Sequence, residues 1–129
     1  MSRTAGVAIA LLLGAVVAIG HARTQAASAY GVYSGLEAVD GDISGFEFII
    51  LPSNEGDFLV FQQAEGWPQK PLLLPVVLGG TRAADSSVVR FEHPEMGPFH
   101  GVIAGDTLTG EFARMQYEIT LIKGNSFWQ

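Results

Sequence analysis

Phe99-His100-Gly101-Val102-Ile103-Ala104-Gly105-Asp106-Thr107-Leu108-Thr109-Gly110-Glu111-Phe112 is the stretch that decides the fold. Phe99, Gly101, Ile103, Leu108, Gly110 and Phe112 fall on one face, and His100, Val102, Thr109 and Glu111 fall on the other. Period-two alternation on both sides of a Gly-Asp pair is the pattern of an antiparallel hairpin with one apolar face. Gly101 and Gly110 interrupt an otherwise bulky stripe. A tightly curved wall requires this, either for a bend or for a large neighbour opposite.

Working outward, the same pattern recurs with Gly or Pro between the runs. Strands are expected at Tyr30–Leu36, Phe46–Leu51, Phe58–Gln63, Leu73–Leu78, Ser87–Glu92, Phe99–Ala104, Leu108–Ala113 and Tyr117–Ile122, with Ser126–Gln129 as a short closing strand. Asp40-Gly41-Asp42, Asn54-Glu55-Gly56-Asp57 and Gly105-Asp106 read as turns. Phe46, Phe48 and Ile50 share a face, as do Val89 and Phe91, and Tyr117, Ile119 and Leu121. The segment 66–75 holds Pro68, Pro71 and Pro75 and is expected to be a rim or edge. No run has sustained helical periodicity. The fold class is therefore all-β: a single up-and-down antiparallel barrel of about eight short strands, closed so that no edge is left to pair with other chains.

Ahead of that domain, residues 1–29 read as a signal peptide. Arg3 supplies the basic start, Ala5–Gly20 is an unbroken apolar run, and small residues follow, so cleavage is expected after Ala26 or Ala29. Sixteen apolar residues fall short of the roughly 18–20 that span a bilayer core. The expected location is exported, periplasmic or secreted, with no membrane contact beyond the signal, and the barrel domain is 30–129.

Composition narrows the function classes. Removing Arg3 and Arg23 leaves Lys70, Arg82, Arg90, Arg114 and Lys123 against thirteen acidic residues. Such a surface repels phosphate backbones and anionic lipid, so nucleic acid is not an expected partner. With no cysteine, thiol catalysis and Cys-ligated metals are excluded, and stability must come from packing and the sheet ladder. Eight Phe, three Tyr and two Trp imply an aromatic core.

Phe99-His100-Gly101-Val102-Ile103, Leu108-Thr109-Gly110-Glu111-Phe112 and Ile119-Thr120-Leu121 resemble the closing strands of small lipocalin-like (calycin-type) β-barrel domains of exported bacterial proteins. Gly31-Val32-Tyr33-Ser34-Gly35-Leu36, followed by a strand at Phe46, is similar to their first hairpin. The likeness in layout covers most of the barrel domain, on aromatic-x-Gly motifs that any small meander barrel favours. The resemblance implies the eight-stranded barrel and no particular activity, because such domains share none. Some precede a secreted α/β-hydrolase, but no Gly-x-Ser-x-Gly elbow occurs in this sequence.

Several groups bear on chemistry. Asp40-Gly41-Asp42-Ile43-Ser44-Gly45 begins like a calcium loop, but Leu51 stands where a bidentate Glu is needed, and a hairpin turn explains the same residues. His93, Glu95 and His100 are a donor set that suits zinc, yet alternation points His100 outward and leaves His93 at a strand end. Glu47, Glu111 and Glu118 lie near Arg90 and Arg114 at positions expected on the solvent face, where carboxylates do little acid–base work. No spacing suggests a nucleophile. The expectation is no catalytic residue, no metal and no cofactor.

The segment Gln62–Pro71 is polar, proline-stiffened and carries Trp67 at a strand end. A Trp at a barrel mouth supplies apolar contact and an N–H donor together. Trp67, Glu65, Gln62, Tyr33 and Trp128 are therefore the expected binding rim. The structural alternative is Trp67 as a plug. The leading expectation is a binding module for a small apolar ligand at one mouth, monomeric or weakly oligomeric. The alternative is a packed barrel that binds another protein of the cell envelope, and an enzyme using Glu47 or Glu118 is the least favoured reading.

Overall fold

A computed structural model describes residues 29–81 and 85–129. The expected signal peptide therefore lies outside the described residues, apart from Ala29. The strands are β1 (Gly31–Ser34), β2 (Glu37–Val39), β3 (Asp42–Leu51), β4 (Asp57–Pro68), β5 (Leu72–Gly80), β6 (Ser86–His93), β7 (Gly97–Ala104), β8 (Thr107–Phe112) and β9 (Tyr117–Lys123). A single 3-10 turn, Ala113–Met115, joins β8 to β9. Each strand from β3 to β8 pairs antiparallel with the next, and β1 pairs with both β3 and β9. The sheet is thus a closed up-and-down barrel with the lipocalin-like layout expected from the sequence.

β1 and β2 are two halves of one stave. Both lie against β3, β1 at its C-terminal half and β2 at its N-terminal half. The break falls at Gly35-Leu36, inside the run Tyr30–Leu36 expected as one strand. Gly45 explains it: its φ is +114°, and a Cβ there would stand 2.4 Å from the Gly35 carbonyl oxygen. The two backbones cross in near contact, which only glycine permits. Beyond the break, Asp40 (φ 52°) and Gly41 (φ 86°) turn the chain tightly into β3.

The interior is filled with rings. Phe48 meets Phe61, Phe91 and Phe99 at centroid distances of 5.3, 5.4 and 5.6 Å. Phe91 and Phe99 stack at 4.7 Å, and Phe112 lies 5.1 Å from Phe99. Gly101 pairs directly with Gly110, and a Cβ on Gly110 would sit 2.4 Å from Phe99 Cζ. The Phe99 ring lies over this glycine pair, so the large-neighbour explanation of the interrupted stripe holds. At one end Ala29 is buried, Tyr30 packs on the core, and the Tyr30 hydroxyl donates to Asp57 at 2.9 Å.

Three expectations need correction, and one about the prolines holds. Ser126–Gln129 is not a strand: the barrel closes through Tyr33↔Lys123 and Ser34↔Ile122, with the Gly124 N–H donating to the Val32 carbonyl at 3.0 Å. Pro68 ends β4 and Pro75 lies inside β5, so segment 66–75 is strand on both sides of a short turn and paired on one side only, the extended edge expected from its prolines. Pro75 is tolerated there because β5 is paired at that point only with β4, and its ladder to β6 starts at Val77. Tyr117 is 49 % exposed rather than interior, since β9 begins at the lip of the barrel. Glu47 points out of the barrel as alternation requires, yet it is buried, because the C-terminal tail lies over it.

Candidate functional site: the open mouth of the barrel

The start of β3, the ends of β4 and β6, and the β8–β9 connection meet at the end opposite Tyr30. A recess of about 780 Å³ opens there. Phe46, Phe61 and His93 stand at the edge of the packed core, Leu72, Met96, Met115 and Tyr117 add apolar wall, and Gln63, Glu65, Gln69, Lys70 and Glu95 bring polar groups. The size lies within the range of small-molecule pockets, which is about 300–1,000 Å³.

His93 is the polar group built most firmly into this site. It closes β6, and the chain then turns through Pro94-Glu95-Met96 into β7. Its Nδ1 accepts the backbone N–H of Glu95 at 3.1 Å and of Met96 at 3.0 Å. Two donors on Nδ1 place the ring proton on Nε2. The imidazole packs against Phe61 at 4.6 Å, and burial lowers its pKa below the usual histidine value, opposed by the nearby Glu95 charge. His93 is therefore neutral at pH 7. Its Nε2–H has no partner among the described residues and is not sealed from solvent. The recess thus offers one oriented N–H donor beside apolar walls.

The residues expected to form a rim are dispersed. Glu65 lines the mouth. Gln62 and Trp128 come together elsewhere, on the outside of the β3–β4 wall, where Trp128 Nε1–H donates to Gln62 Oε1 at 2.6 Å. Trp67 is 77 % exposed near the tip of the β4–β5 hairpin and neither plugs nor lines the recess. Tyr33 lies fully in the core, its hydroxyl donating to the Ala29 carbonyl at 2.7 Å. Burial, with the Asp106 charge second, pushes the Tyr33 pKa up to about 12. It belongs to the packing and not to an open rim.

Among the remaining candidates, His100 is exposed on the outer face, opposite Arg90 and Glu111, while His93 is buried at the mouth. The hairpin separates the two imidazoles that a zinc site would need together. Glu111 and Glu118 face each other on the exposed surface, as expected. Sequence reading missed Met96, Met115 and Tyr117 as mouth residues. The available signal was the cluster His93-Pro94-Glu95-Met96, a turn that places an apolar residue after a potential acceptor.

No protein-family model, no curated protein and no solved structure matches the chain.

Proposed function

We propose that the protein is a binding module for a small, largely apolar molecule carrying one hydrogen-bond acceptor, held at the open mouth. The observation that carries this is the 780 Å³ recess edged by phenylalanines and lined by His93, whose Nδ1 is taken up by the turn so that Nε2–H is left for a ligand. Below the recess the barrel is packed, so the ligand is a mouth occupant and not a guest of the barrel centre. The apolar run Ala5–Gly20 behind Arg3, read as an export signal, supports a protein working in the periplasm or outside the cell.

Calorimetric titration with heptan-2-one, an apolar chain with one carbonyl acceptor, tests it. Uptake should saturate at one molecule per chain, and Met115→Glu should weaken it without altering thermal stability, since Met115 is an exposed wall residue. No saturable heat, or uptake indifferent to Met115→Glu, contradicts the proposal.

A second reading, an interaction module of the cell envelope, draws on the outer face of β5. Leu73 and Val77 flank Pro75 there, and both are two-thirds exposed. Leu73→Lys with Val77→Lys should abolish partner binding under that reading and leave heptan-2-one uptake intact.

A further inference from the structure

We propose that the outer wall of the barrel carries a second, separate site: a groove under the C-terminal tail that takes a small organic cation, an ammonium group on an apolar body. The groove has a volume of about 430 Å³. Its floor follows from the register of β3 and β4, which sets Glu47 beside Gln62 and Ile49 beside Val60 with their side chains outward. Trp128 forms one wall, and Pro68 and Pro71 of the β4–β5 hairpin form the other.

Glu47 determines the ligand class. It is 3 % exposed, and its carboxylate accepts the Ser126 hydroxyl at 2.6 Å and the Phe127 N–H at 2.8 Å. Both donors are neutral, and among the described residues no Lys, Arg or His pairs with it. A carboxylate removed from water needs compensation for its charge, and two neutral bonds leave about half of its acceptor sites open. Both Trp128 donors are already engaged: the backbone N–H on Ser126 Oγ at 3.3 Å and the indole N–H on Gln62 Oε1.

What remains at the groove is therefore an unbalanced negative charge and spare acceptors beside apolar walls. A ligand bringing N–H donors and a positive charge completes both, whereas an anion is repelled and a neutral apolar body only deepens the burial of the carboxylate. The Trp128 indole adds the ring type that attracts cations most strongly. Holding down the tail needs only the Ser126 and Phe127 bonds, and does not by itself account for an apolar recess opening beside the carboxylate.

Titration of the full chain at pH 7 with phenethylamine, which is protonated there, and with its neutral isostere 2-phenylethanol tests this. The Trp128 indole N–H resonance, distinguished from that of Trp67 by a Trp67→Phe variant, reports this groove and not the mouth. Phenethylamine should shift it saturably, and 2-phenylethanol should bind at least about tenfold more weakly. Glu47→Gln, which keeps an acceptor for the tail, should weaken phenethylamine binding by a similar factor. Equal binding of the two compounds to the unaltered protein overturns the proposal even if Glu47→Gln fails to fold. Absence of any saturable shift, or undiminished binding by a folded Glu47→Gln, does so as well.

Discussion

His93 and Met96 fasten the β6–β7 turn to each other: the Met96 N–H donates to His93 Nδ1 at 3.0 Å, while the Met96 side chain is buried at the mouth. One contact therefore fixes the turn, chooses the imidazole tautomer and sets an apolar wall of the recess. Protonation of Nδ1 would replace this acceptor with a donor facing two N–H groups.

That relationship predicts an acid-sensitive fold. The His93 pKa is lowered by burial relative to its unfolded value near 6.5, so the unfolded chain binds the proton more readily. The stability this contributes is complete above pH 6.5 and is lost as pH falls through the lower folded-state pKa. Melting temperature should drop between pH 7 and pH 5.5, before most carboxylates titrate. His93→Gln should melt lower at pH 7 but with a flatter dependence across that window. Parallel curves for the two proteins would contradict the assignment.

Gly110 should tolerate no side chain. Gly110→Ala places a Cβ 2.4 Å from Phe99 Cζ and 2.6 Å from the His100 carbonyl oxygen, and the backbone contact cannot rotate away. A loss of about 1–3 kcal/mol in urea unfolding is expected. Gly124→Ala, with nothing within 4 Å of the added carbon, should lie within about 0.5 kcal/mol of the parent.

Much of this was legible in the alternating hairpin 99–112. Phe99, Ile103, Leu108 and Phe112 are buried and His100, Val102, Thr109 and Glu111 are exposed, because a period of two directly encodes which side of a wall a residue takes. What alternation does not encode is what lies over the outer face. Glu47 faces outward as expected and is nevertheless buried by Ser126 and Phe127, about eighty positions away in the chain. For the same reason Gln62, Trp67 and Trp128 could be read as aromatic and polar candidates but not assigned to one place. Tyr33 lies in the core and not at the expected rim, because a Tyr suits rim and core equally until its hydroxyl has a partner, here the Ala29 carbonyl. The mouth itself is formed by a turn, a 3-10 segment and strand ends, none of which carries a periodic signature.

Tyr33 should titrate late. Its phenol is held neutral up to about 12, so absorbance at high pH should show a late ionisation that Tyr33→Phe removes. The same substitution deletes the bond to Ala29 and should cost about 1 kcal/mol. A titration curve unchanged by Tyr33→Phe would contradict the burial.

The tail should contribute to stability through Glu47. Ser126→Ala removes a hydrogen bond to a charged, buried acceptor and should cost about 1.5–3 kcal/mol, with the denaturant slope unchanged. Hydrogen exchange at the Phe127 N–H should accelerate in that variant, since Glu47 would hold the tail by one bond alone. Equal protection in both proteins would show that the tail is held by something else.

The central claim is that a ligand occupies the mouth above a packed core, and methionine methyl resonances test it most directly. Met96 and Met115 both line the recess, from the β6–β7 turn and from the 3-10 segment. On titration with heptan-2-one, both methyl signals should move together along one saturable curve that ends at a single bound molecule. Signals that stay fixed, or that drift in proportion to added ligand without saturating, would contradict the account.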